Sequence, residues 1–189
     1  MSVPYIIEKS GSSEKSYELY SKLLKDRIIF IGESFNDSMA NNIVAQLLYL
    51  NSSNSNKDIY IYINSRGGVI SSMYAIYDTM MHIKPDIVTV GLGVVASAAS
   101  FILAAGTKGK RMSLPNTEIM IHELSGGVSG KAGDIFNTVD NVRRLYDKMA
   151  NHYADFTGKS VRKIKKDMQR DHWLSPDDAL DYGLIDKVV

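Results

Sequence analysis

Short apolar, β-branched runs alternate with amphipathic stretches from residue 27 to the end of the chain. Arg27–Ile31, Asp58–Ile63, Asp86–Gly91, Glu118–His122 and Leu184–Val189 read as strands. Between them, Asp37–Leu50, Val69–Ile83, Ser97–Ala105, about 133–156 and Ser160–Arg170 read as helices. A further short helix is expected over Ser16–Lys25, and another after Ser175-Pro176-Asp177-Asp178, which places Ser at the N-cap, Pro in the first turn and two acids behind it. Strand–helix alternation of this kind builds an α/β domain on parallel strands. The long helix shows Ile135, Val139, Val142, Leu145, Met149 and Tyr153 at helical spacing, which predicts one buried face. Its Gly-rich lead-in predicts that it stands off the main body. Residues 1–15, polar after the apolar patch Val3-Pro4-Tyr5-Ile6-Ile7, read as a flexible terminus with an apolar tip.

Composition removes several function classes. The formal net charge is +1, from 22 basic and 21 acidic residues, so nothing draws the chain to nucleic acid or an anionic membrane. There is no cysteine, and the four histidines form no HExxH arrangement. Thiolate catalysis, disulfides and metal chemistry are therefore not expected. No signal peptide or bilayer-length apolar run is read, which points to a soluble, intracellular protein.

Three segments could carry chemistry. Asn64-Ser65-Arg66-Gly67-Gly68 is a strand-to-helix turn whose glycines let backbone N–H groups face a ligand; a plain tight turn looks the same. Gly93–Ser100 brings a strand to a turn of small residues with Ser97 at the start of a helix, where a hydroxyl would sit beside unpaired amides. On this segment alone a serine kept only as an N-cap is the better reading, and the segment lacks G-x-S-x-G. Ile119-Met120-Ile121-His122 ends a strand on an imidazole, a base suited to neutral pH or an ordinary surface residue. Such a base needs an acceptor. Asp171, in a short loop beside Trp173, is one candidate among many carboxylates, and burial against the indole would favour it. Gly91-Leu92-Gly93-Val94-Val95-Ala96 also fits a short dinucleotide-binding pattern, without the acid expected further on.

Motifs spread over about 180 residues resemble the proteolytic-subunit family of the Clp protease. They are LYSKLLK (19–25), DIYIYINS (58–65), AIYDTM (75–80), GTKGKR (106–111), LPN (114–116), MIH (120–122) and RDHWLS (170–175). The resemblance implies one domain over 1–189 with a crotonase-like fold of repeated ββα-type units and a protruding strand-helix handle over about 125–156. It implies a serine endopeptidase with Ser97, His122 and Asp171 as catalytic triad and the amides of Gly68 and Ala98 as oxyanion hole. It also implies an apolar docking cleft including Leu48, Tyr60, Tyr62, Val90 and Leu92.

Further expectations follow from the family. Two seven-membered rings stack into a barrel, homomeric or mixed with sister subunits, and an ATP-driven AAA+ unfoldase feeds it unfolded proteins. The chain has no phosphate-binding P-loop, so ATP belongs to the partner and this chain needs no cofactor or metal. The expected location is the bacterial cytoplasm or a plastid-type stroma. Arg66 stands where the family usually has Pro, and Val94–Ser100 where it usually shows Q-A-A-S-M-G-A. Glu123-Leu124 replaces a common Q-P, and His82 a usual aromatic. These departures leave a catalytically weak or non-catalytic ring subunit as the alternative. A crotonase-type acyl-CoA enzyme shares the implied fold but matches the motifs less well.

Overall fold

The computed structural model describes residues 4–10 and 13–189. Strands β1 (Tyr5–Ser10) and β2 (Ser13–Glu18) pair as an antiparallel ribbon. The sequence reading has no strand there; Val3 lies outside the described residues. The helix expected from Ser16 begins later, as α1 (Leu19–Lys25), because Glu18 serves as N-cap and its carboxylate accepts from Ser21 N–H at 2.9 Å.

Among the described residues, seven strands form the main sheet. Its path runs β3 (Ile28–Ile31), β4 (Ile59–Ser65), β5 (Ile87–Ala96), β6 (Arg111–Ser113) and β9 (Lys187–Val188), all parallel. The long strand β5 forks: Thr89–Gly91 pairs with β6, and Val94–Ala96 pairs with β7 (Glu118–Ile121), also in parallel. β7 then pairs antiparallel with β8 (His172–Leu174). This is the α/β, parallel-dominated architecture expected from the alternation.

Ile59, Ile61 and Ile63 on β4 are fully buried. They belong to one core with Ile43 and Leu47 of α2 (Asp37–Ser53) and Ile76 and Met80 of α3 (Ile70–His82). α4 (Ala98–Ala104) is apolar or small on every face and buried throughout, so it is a central helix. α5 (Ala132–Thr157) departs from the expectation. Only Met149, Ala150 and Tyr153 are buried, and Val142 and Phe136 are exposed. The apolar stripe is continuous in sequence, but no layer covers its first turns. α6 (Val161–Asp167) and α7 (Pro176–Tyr182) follow. α7 starts on a full capping box between Ser175 and Asp178, as its sequence indicates.

One buried ion pair fastens the end of the chain. Arg111 is 4% exposed and grips both Asp186 carboxylate oxygens, at 2.8 and 2.6 Å. It also donates to the carbonyls of Ala104 and Phe156, the C-terminal ends of α4 and α5. Burial opposes the Asp186 charge, but the hydrogen bonds from Arg111 and Gly109 outweigh it and hold the carboxyl below its usual value. A carboxyl with a depressed pKa stabilises the fold above its ordinary pKa, near 3.9, and loses that contribution as pH falls through the depressed value. Asp186→Asn is expected to remove roughly 3 kcal/mol at neutral pH, because it leaves a buried guanidinium without its charge partner. Denaturant melts should show this loss, together with a flatter dependence of Tm on pH below about pH 4.

Candidate active site

Ser97 sits between the end of β5 and the start of α4 with φ 58° and ψ −123°, a left-handed region that non-glycine residues rarely occupy. Such strain persists only where the surroundings fix it. Here Ser97 N–H donates to the Met120 carbonyl at 3.0 Å, and Ser97 O accepts from Phe101 N–H at 3.1 Å. Ala96, Ala98 and Ala99, all buried, keep the turn tight without G-x-S-x-G. The side chain of Ser97 makes no capping hydrogen bond. A serine held only as a cap would make one.

The 64–69 turn packs against it. Gly67 has φ 94°, and a Cβ there would lie 2.7 Å from Ser97 Cβ and 2.9 Å from Ala98 N. Phe35 clamps the turn: its N–H donates to Gly67 O at 3.0 Å, and its carbonyl accepts from Val69 N–H at 2.9 Å. The Ser65 hydroxyl donates to Glu33 O at 2.7 Å and accepts from Gly67 N–H at 3.1 Å. The amides of Gly68 and Ala98 have no acceptor among the described residues. Arg66 is exposed there.

Sheet register brings the remaining groups in. Ala96 is opposite Met120 across β5 and β7, so Ser97 and His122 both lie just past the C-terminal ends of adjacent parallel strands. Ile121 is opposite His172 across β7 and β8, which sets Asp171 beside His122. His122 Nδ1 is 3.3 Å from Asp171 Oδ1. Glu123 N–H donates to Met168 O at 2.7 Å and ties this segment to the end of α6. No hydrogen bond joins Ser97 Oγ to His122 among the described residues, but both line one pocket of about 50 Å3 with Gly68 and Ala98.

Asp171 is not shielded by an aromatic. Its side chain is 61% exposed, and Trp173 on β8 is also largely exposed.

Other expected positions fall as follows. Tyr60, Tyr62, Val90 and Leu92 alternate along β4 and β5, with Tyr62 opposite Val90 in register. Tyr60 and Leu48 are exposed, whereas Val90 is buried. His82 is exposed at the end of α3. His152 packs among Tyr77, Phe101 and Phe156, 3.3 Å from the Tyr77 hydroxyl; burial lowers its pKa. No group of metal-ligating side chains occurs among the described residues. Gly91–Ala96 runs inside β5 rather than in a strand-to-helix turn, so it offers no amides to a pyrophosphate.

Pocket-lining residues that the sequence reading did not single out are Ile70, Met73 and Ser125; Leu124, noted only as a departure from the family pattern, and Met149, part of the apolar stripe, also line it. Tyr153, read only as part of an apolar stripe, lines it as well. Leu124 and Ser125 also border an adjacent apolar groove of about 300 Å3 that runs along α5.

Fold and site together define an α/β protein with a strained serine turn, two unpaired amides and an imidazole–carboxylate pair at the C-terminal ends of its parallel strands. The family model described as Clp protease matches residues 11–189, and the chain belongs to that family. No helix among the described residues is long and apolar enough to cross a membrane.

Proposed function

We propose that this chain is a serine endopeptidase subunit, with Ser97 as nucleophile, His122 as general base and acid, and Asp171 as the group that orients His122. One observation carries the reading: an uncapped serine in strained backbone shares a pocket with a histidine already paired to a carboxylate. Ser97 Oγ would attack a peptide carbonyl while His122 takes its proton. The amides of Gly68 and Ala98 would receive the oxyanion, each worth roughly 10²–10³ in rate. His122 would return the proton to the leaving amine, and water would then release the acyl group by the same route. The groove beside Leu124 and Ser125 suits an apolar side chain of the substrate. Catalytic hydrogen bonds commonly tighten only in the substrate complex, so the open Ser97–His122 contact fits a resting site.

Family membership supports work within a barrel of stacked rings, fed with unfolded protein by an AAA+ unfoldase that spends the ATP. The row Tyr60, Tyr62, Val90 and Leu92, with Leu48, is the proposed docking cleft. The handle over about 125–156 would join the rings. The proposed setting is cytoplasmic, with no cofactor in this chain.

The exposed Asp171 and the open Ser97–His122 contact favour a second reading, a catalytically weak ring subunit. Turnover of a small fluorogenic peptide, measured with native mass on the same sample, separates the two. The first reading gives turnover by a large homomeric assembly. Assembly without turnover, alone or mixed with a sister subunit that has its own nucleophile removed, supports the second and overturns the first.

A further inference from the structure

Two buried hydroxyls behind Ser97 take no part in the proposed chemistry. Ser100 Oγ, on α4, lies 2.7 Å from the Ser97 carbonyl and 2.7 Å from the Met120 carbonyl. It is 3.1 Å from the hydroxyl of Tyr153, which comes from α5. Ser100 and Tyr153 are each 1% exposed.

Ser100 has one proton for three neighbours. The two carbonyls only accept, so one of them takes it. The Tyr153 hydroxyl has no other hydrogen-bond partner among the described residues, and leaving its proton unpaired in the core would be costly. It therefore donates to Ser100 Oγ. Burial pushes the phenol well above its usual pKa and keeps that proton in place. The chain of donation runs from Tyr153 to Ser100 to the main chain.

The main-chain atoms it reaches belong to the site. One is the carbonyl of Ser97, the residue with φ 58°. The other is the Met120 carbonyl, which also accepts Ser97 N–H at 3.0 Å and lies two residues before His122. A helical serine often bonds a carbonyl three or four residues back in its own helix. The bonds to β7 and α5 go beyond that habit. They join the nucleophile turn, the strand that carries His122 and the long helix at one point.

We infer that Tyr153 and Ser100 are positioning residues that hold the Ser97 main chain against the His122 strand and anchor both to α5. The catalytic consequence rests on the peptidase reading above; the mechanical one does not. Neither residue touches the reacting atoms.

The test is Tyr153→Phe, which removes the hydroxyl and keeps the ring edge-on to Phe101 at 5.4 Å. With a fluorogenic peptide, kcat is expected to fall about tenfold, the rate equivalent of one neutral hydrogen bond, with KM within about twofold. Ser100→Ala should do the same, and the double variant should lose no more than either single one. Independent structural damage would instead give additive losses. Hydrogen exchange of the 94–104 segment, read by mass spectrometry, should rise in Tyr153→Phe while other core segments stay protected. Wild-type kcat and wild-type exchange in Tyr153→Phe overturn the inference. If the unaltered protein turns nothing over, that failure belongs to the peptidase reading. Exchange then decides alone whether Tyr153 holds the turn.

Discussion

Ser97→Ala is expected to leave peptide turnover at background, a loss of roughly 10⁶ in kcat, the scale seen when a serine peptidase loses its nucleophile. The fold should barely respond. Ser97 Oγ has no hydrogen-bond partner among the described residues, so its removal strands no buried group. Stability should stay within about 0.5 kcal/mol of the parent. His122→Ala should cost about as much in turnover, because hydroxyl and imidazole act as one unit. Asp171→Ala should cost less, on the order of 10⁴. Its carboxylate is 61% exposed, so water can partly replace it as acceptor for the His122 ring. Steady-state rates on one fluorogenic peptide, with thermal melts alongside, check all three.

Gly67→Ala is expected to give the largest loss outside Ser97, His122 and Asp171, in a residue without functional atoms. Gly67 holds φ 94°, and an added methyl would lie 2.7 Å from Ala96 O and Ser97 Cβ and 2.9 Å from Ala98 N. None of these neighbours is the free end of a flexible side chain. The turn must back away from Ser97, and Gly68 moves with it because the two are consecutive. One oxyanion donor is worth roughly 10²–10³, and a misplacement of about 1 Å is worth about 10². A fall of about 10²–10³ in kcat is therefore expected, with far-UV circular dichroism retained. Gly158→Ala is the control. It also has positive φ, 72°, at the end of α5, but nothing lies within 4 Å of its added methyl. It should cost about 1 kcal/mol of stability and leave kcat alone. Equal kcat losses in the two variants would mean that strain, not placement, is at work.

Much of this was legible in the sequence because its signals are local. The alternating burial of β4, the small-residue turn at Ser97, the double glycine at 67–68 and the capping box at Ser175 each declare themselves within a few residues. What was not legible depends on pairing between distant segments. β6 and β8 are three residues each and carry no period long enough to read. β8 nevertheless sets Asp171 beside His122, through the register of Ile121 with His172. The stripe on α5 looked like a buried face from end to end, but burial starts only at Met149, since periodicity reports a face and not whether anything covers it. The positive φ of Ser97 has no signature among alanines, which neither require nor forbid it. The Ser100–Tyr153 contact joins two helices distant in sequence, and its tyrosine reads as one more member of an apolar stripe.

The most direct test of the central assignment is mass-spectrometric mapping of the adduct formed with a fluorophosphonate, a reagent that needs an activated serine. A single phosphonyl group on Ser97 in the unaltered protein, absent from His122→Ala, is the expected result. An unlabelled protein in its assembled state, or a label on any other serine with Ser97 bare, would contradict the assignment.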